Sequence, residues 1–108
     1  MSEKDSLEQR IRDGLLLDAY GPQLTEKQRM ACDMILVQDL SLSEAASALG
    51  VSRQGVHDLV ARSREHMEEL EASLGVARRR REMEKLLDGS KDRLPEDFYA
   101  AFKKILEA

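Results

Sequence analysis

The chain has 108 residues, of which 42 % are hydrophobic and 35 % charged, with a formal net charge of −4 at pH 7. That is room for one domain, or one compact domain with a helical extension; the acidic balance argues against gripping nucleic acid by bulk charge alone. A single cysteine, Cys32, excludes an intramolecular disulfide and fits a reducing, cytoplasmic location. No apolar run approaches the ~20 residues that span a bilayer, and Met1-Ser2-Glu3-Lys4-Asp5 lacks the basic-then-apolar order of a signal peptide.

With aromatics at only 4 %, the core must be aliphatic, and abundant Ala, Leu, Glu, Lys, Arg and Gln favour helix throughout. A first helix is expected over about 6–19, with Leu7, Ile11 and Leu15 as its apolar stripe. Gly14 weakens it, and Gly21-Pro22 ends it. Thr25-Glu26-Lys27-Gln28 reads as a capping box opening a second helix. Its expected stripe is Met30, Ala31, Met34, Ile35 and Val37, and its end lies near Gln38-Asp39. Ser41-Leu42-Ser43-Glu44 is another capping box, and the short helix it opens closes on Gly50. Ser52 caps a long fourth helix. Along it Val56, Ser63, Leu70 and Ala77 repeat every seven residues, interleaved with Val60, Met67 and Leu74. That is about three heptads, the lower limit for a coiled-coil-like seam. Gly75 is a candidate break; helix resumes over 78–87, Gly89-Ser90 is a loop, and a last helix opens at Pro95 with Phe98, Phe102, Ile105 and Leu106 as its apolar face.

The segment 42–61 carries the sharpest signal. A helix-turn-helix crosses two helices steeply through a tight turn. It needs a small residue where the helices cross (Ala46) and a residue tolerating positive φ in the turn (Gly50). It also needs an apolar plug (Val51), a cap on the second helix (Ser52) and inward apolar residues beyond it (Val56, Leu59). All stand at the required spacing. The N-terminal part of the second helix is the part that enters a major groove. Arg53 can pair bidentately with guanine and Gln54 with adenine, with His57 beside them. Ser52 and the helix start can hold a phosphate, Gly55 would let a backbone approach, and Arg62 and Arg64 can reach flanking phosphates. The candidate nucleic-acid-binding residues are therefore Ser52, Arg53, Gln54, His57, Arg62 and Arg64.

In Leu24-Thr25-Glu26-Lys27-Gln28-Arg29, Asp39-Leu40-Ser41-Leu42-Ser43-Glu44 and Gly50-Val51-Ser52-Arg53-Gln54-Gly55-Val56 the chain resembles the YlxM family of small bacterial proteins. The same pattern is similar to region four of sigma factors. The resemblance covers about residues 7–75 and fades after Gly75. It implies an all-α helix-turn-helix protein, dimeric, linked to the signal recognition particle pathway, because such genes lie beside those for the particle's GTPase and its receptor.

Other features read more plainly. Arg78-Arg79-Arg80-Arg81 is expected to be a solvated helix face pairing with Glu82, Glu84 and the acidic 65–71 segment, with an RNA or phosphate contact as the alternative. The heptad seam is expected to be a dimer interface, or else the place where the first or last helix docks. His57 and His66 do not share a helical face and no Cys-x-x-Cys lies nearby, so no metal or cofactor is expected. No phosphate loop or activated nucleophile stands out, so no small-molecule substrate and no enzyme is expected. The expectation is an all-α helix-turn-helix domain over 1–75 with a helical extension over 76–108. It would act as a dimeric, regulatory nucleic-acid-binding protein. The alternative is a protein-interaction module contacting signal recognition particle RNA or GTPase components without binding DNA.

Overall fold

A computed structural model describes residues 3–107, with side chains from Leu7 onward; Met1 and Ser2, read above for a leader, lie outside the described residues. The fold is all-α. Its helices are α1 (Glu3–Tyr20), α2 (Glu26–Cys32), α3 (Leu42–Leu49), α4 (Arg53–Leu74), α5 (Val76–Gly89) and α6 (Glu96–Glu107), with no strand among the described residues. No helix is long and apolar enough to cross a membrane. The chain divides into two compact units, the first ending at Leu74 and the second beginning at Gly75.

Local chemistry explains most boundaries. Both expected capping boxes form: Thr25 with Gln28 and Ser41 with Glu44 exchange side-chain and backbone hydrogen bonds at 3.0–3.2 Å. Each satisfies two of the orphan donors at a helix start. Gly50 closes α3 in the left-handed region at φ 66°, and Gly75 does the same between α4 and α5 at φ 61°. There a β-carbon would cost about 1–2 kcal/mol.

Two expectations about buried faces change. The α1 stripe is out of phase: Leu7 is 61 % and Ile11 48 % exposed, whereas Leu16 is 1 % exposed and Asp13 and Tyr20 are buried with it. The buried face keeps the helical period but carries two polar groups that hydropathy counts as outward. In the second helix, the turn Asp33–Val37 widens to π geometry, with the Gln38 amide donating to the Asp33 carbonyl at 2.9 Å. The extra residue in that turn breaks the 3.6-residue period, and Val37 ends exposed while Ala31 and Cys32 are buried. Asp39 then turns the chain at φ 59°.

The first half of the heptad seam is filled from within the first unit. Val56, Val60, Ser63 and Met67 are all buried there. α1 docks along α4 through three polar pairs. Arg64 donates to both carboxylate oxygens of buried Asp13 at 2.8 and 3.2 Å. Arg12 donates to both oxygens of Glu68 at 2.8 and 2.9 Å, which holds Glu68 below the usual carboxylate range. The Tyr20 hydroxyl donates to Glu71 at 2.6 Å. Of the two uses foreseen for the seam, helix docking accounts for its first half.

Gly14 lies within α1 and a β-carbon there meets nothing within 4 Å. Gly14→Ala is therefore expected to stabilise the fold by about 0.5–1 kcal/mol through helix propensity, read as a rise in the thermal midpoint.

Candidate nucleic-acid interface

The helix-turn-helix is built from α3, the turn 50–52 and the first half of α4. Ala31, Ala45, Ala46, Val56 and Val60 form its buried centre, with Leu42, Leu49, Val51 and Leu59 packed against them. Ala46 is the small residue at the crossing, and its carbonyl accepts from the Val51 amide at 3.1 Å, which ties the turn to α3. The Ser52 hydroxyl oxygen accepts from the Gly55 amide at 2.9 Å, so it caps α4. With that oxygen accepting, the hydroxyl hydrogen is still a donor for an outside acceptor.

Gly55 has a role the sequence did not disclose. A β-carbon on it would stand 3.1 Å from the Ser52 hydroxyl oxygen and 3.5 Å from the Val51 β-carbon. Its bareness makes room for the cap and the turn within the protein, whereas the sequence suggested room for an approaching nucleic-acid backbone.

Buried Val56 and Val60 fix the roll of α4, and the outward side chains follow from that. Arg53, Gln54 and His57 are exposed and line one shallow cleft together with Leu42 at the start of α3. The Gln54 side-chain amide donates to Asp58 at 2.9 Å, one turn along, which holds the amide in one orientation. Asp58 also lies 3.7 Å from the His57 Nδ1. Arg53 and Arg62 are exposed and make no side-chain hydrogen bond or ion pair among the described residues. The structure thus brings Ser52, Arg53, Gln54 and His57 together and leaves Arg62 further along the helix. Arg64 departs from expectation: its guanidinium is committed to Asp13, where it neutralises a buried carboxylate.

Cys32 is fully buried, and burial pushes its thiol up, as for a small apolar packing residue. Among the described residues no group of His, Cys, Asp and Glu is arranged to hold a metal ion. In the second unit, Arg79, Arg80 and Arg81 make no side-chain ion pair among the described residues.

A capped second helix with its polar N-terminal face outward, over a small aliphatic centre, defines a helix-turn-helix protein. The comparisons place it more closely. The family described as "Putative helix-turn-helix protein, YlxM / p13 like" (UPF0122) matches residues 7–105, and the chain belongs to it. The match extends well past Gly75 and takes in most of the second unit. The chain is 39 % identical to a UPF0122 protein of Symbiobacterium thermophilum over 97 residues, covering 90 % of this chain and 91 % of that protein. It is 40 % identical to one of Caldanaerobacter subterraneus subsp. tengcongensis over 78 residues, covering 72 % and 67 %. It is 33 % identical to one of Clostridium botulinum over 107 residues, covering 94 % and 98 %. No solved structure matches it. The family is described by its helix-turn-helix and by no catalytic activity.

Proposed function

We propose that this protein is a regulatory nucleic-acid-binding protein that acts as a dimer and reads its target with the N-terminal end of α4. The carrying observation is the cleft that unites Arg53, Gln54 and His57 beside the capped helix start. A base-reading helix needs donors on its exposed first turns and apolar anchors behind them, and both are present. Arg53 is the bidentate guanine reader, Gln54 the adenine reader, Ser52 and Arg62 the phosphate contacts, and Arg64 holds α1 in place. A link to the signal recognition particle pathway rests on the YlxM membership.

The test is fluorescence anisotropy against random duplex DNA, duplex from the promoter region of its own operon, and signal recognition particle RNA, each at low and moderate salt. Binding to one of them that falls steeply with salt supports the reading, because phosphate neutralisation releases counterions. Absence of binding to all three at low salt rejects it. The outward Asp58, which lowers the positive potential of this face, then favours a protein partner, tested by pull-down with the particle's GTPase.

A further inference from the structure

We propose that Asp58 is a positioning residue for base recognition: it fixes the amide of Gln54 in the one orientation that reads adenine, and lowers overall affinity in doing so. This rests on the reading of α4 proposed above and adds to it the residue that sets its selectivity.

Asp58 stands where an acid is least expected. It is the only carboxylate between Arg53 and Arg64, and it is exposed one turn beyond Gln54. A negative charge there opposes the approach of phosphates. Neither neighbouring base is hydrogen-bonded to it. Arg62, four residues on, makes no side-chain ion pair among the described residues, and the His57 Nδ1 is 3.7 Å away, beyond hydrogen-bond reach. The bond Asp58 makes is to Gln54, whose Nε2 donates to the Asp58 Oδ1 at 2.9 Å.

What that bond does follows from the chemistry of an amide. The two ends of the Gln54 amide, Oε1 and Nε2, have nearly the same shape and exchange by a half-turn about the last side-chain torsion. Two hydrogen bonds to adenine need the oxygen facing N6 and the nitrogen facing N7. One arrangement therefore reads the base, and the other presents the wrong group to each atom. A carboxylate has only acceptors, so it turns Nε2 toward itself and leaves Oε1 on the far side. One Nε2 hydrogen is used, and Gln54 makes no other side-chain hydrogen bond among the described residues. The second hydrogen and Oε1 are thus available as the donor and acceptor that adenine requires. A side chain held in advance also has less freedom to lose when the base arrives.

The test is selection of a random-sequence duplex DNA library on the full chain, sequenced before and after. Anisotropy follows on the selected duplex and on copies with each adenine replaced in turn. The proteins are the wild type, Asp58→Ala, Asp58→Asn, Asp58→Glu and Gln54→Ala. One adenine position is expected to lose its discrimination in Gln54→Ala. At that position Asp58→Ala and Asp58→Asn are expected to lose about 3- to 10-fold in discrimination, the scale of the ordering cost of one long side chain. Both are expected to bind the substituted duplex more tightly than the wild type does. Asp58→Glu keeps the carboxylate and is expected to restore the wild-type ratio. Asp58→Ala added to Gln54→Ala is expected to change the ratio no further. A charge effect alone tightens binding to every duplex equally. The slight helix stabilisation that a Gln–Asp pair at this spacing gives shifts only the thermal midpoint. A discrimination ratio that Asp58→Ala and Asp58→Asn leave unmoved overturns the proposal while nucleic-acid binding stands. So does NMR relaxation that finds the Gln54 side-chain amide as mobile in the wild type as in Asp58→Ala. A wild type that enriches no sequence overturns it too; if that protein also binds none of the three nucleic acids above, the functional reading falls with it.

Discussion

Arg53→Ala is expected to weaken nucleic-acid binding about 5- to 150-fold while leaving the thermal midpoint unchanged. The magnitude is that of one bidentate base contact, roughly 1–3 kcal/mol. The unchanged stability follows from position: Arg53 is exposed and its side chain is joined to nothing else among the described residues. Surface substitutions of that kind stay within about 0.5 kcal/mol. Arg62→Ala is the matched control. If Arg62 contacts phosphate, its loss weakens binding evenly across sequences and lowers the salt slope by about one, whereas loss of Arg53 also relaxes discrimination at one base position. Titrating a target duplex and a scrambled duplex, at two salt concentrations, separates the two signatures. If Arg53→Ala binds like the wild type on both duplexes, α4 does not read bases and its outward face serves a protein contact.

The helix-turn-helix was legible because its requirements are local. A capping box spans four residues, a left-handed glycine is a single position, and Ala46, Val51 and Val56 lie within eleven consecutive residues. Each can be read without knowing what the rest of the chain does. The roles that escaped reading depend on residues far apart in sequence. Arg64 looks like one more cation flanking a recognition helix until Asp13, 51 positions earlier, is found against it. Asp13 looks like a solvated carboxylate until it proves buried. The π turn at Asp33–Val37 has no side-chain signature comparable to a cap, so a face projected at 3.6 residues per turn drifts through it unnoticed. Gly55 could be read only as bare, since the atoms that occupy its space are known only once the turn is built. The outward residues of α4 were legible to the degree that the inward ones were. Once Val56 and Val60 are placed inside, Arg53, Gln54 and His57 must face out.

The corrected face of α1 yields the second large effect. Leu16→Ala is expected to destabilise the first unit by about 2–5 kcal/mol, the range for emptying a fully buried leucine site. For a unit of this size each kilocalorie moves the thermal midpoint by roughly 4–8 °C. Leu7→Ala, four and five residues before Ile11 and Arg12 on the same helix, is expected to change it by less than about 0.5 kcal/mol, because Leu7 is 61 % exposed where Leu16 is 1 % exposed. The hydropathy stripe predicts the reverse order, so the pair of variants discriminates between two helix orientations rather than between a large and a small substitution. The chemistry of the buried face gives the result a further reach. Leu16 lies between Asp13, held by Arg64, and Tyr20, which donates to Glu71, so a cavity there loosens the polar pairs that seat α1 on α4. Since the residues proposed to read nucleic acid stand at the other end of α4, measuring Arg53-dependent binding in Leu16→Ala at a temperature where it remains folded asks whether the docking of α1 is part of how that helix is presented. Retained affinity would assign α1 to stability alone; a loss beyond the folded fraction would make α1 a support for the reading head.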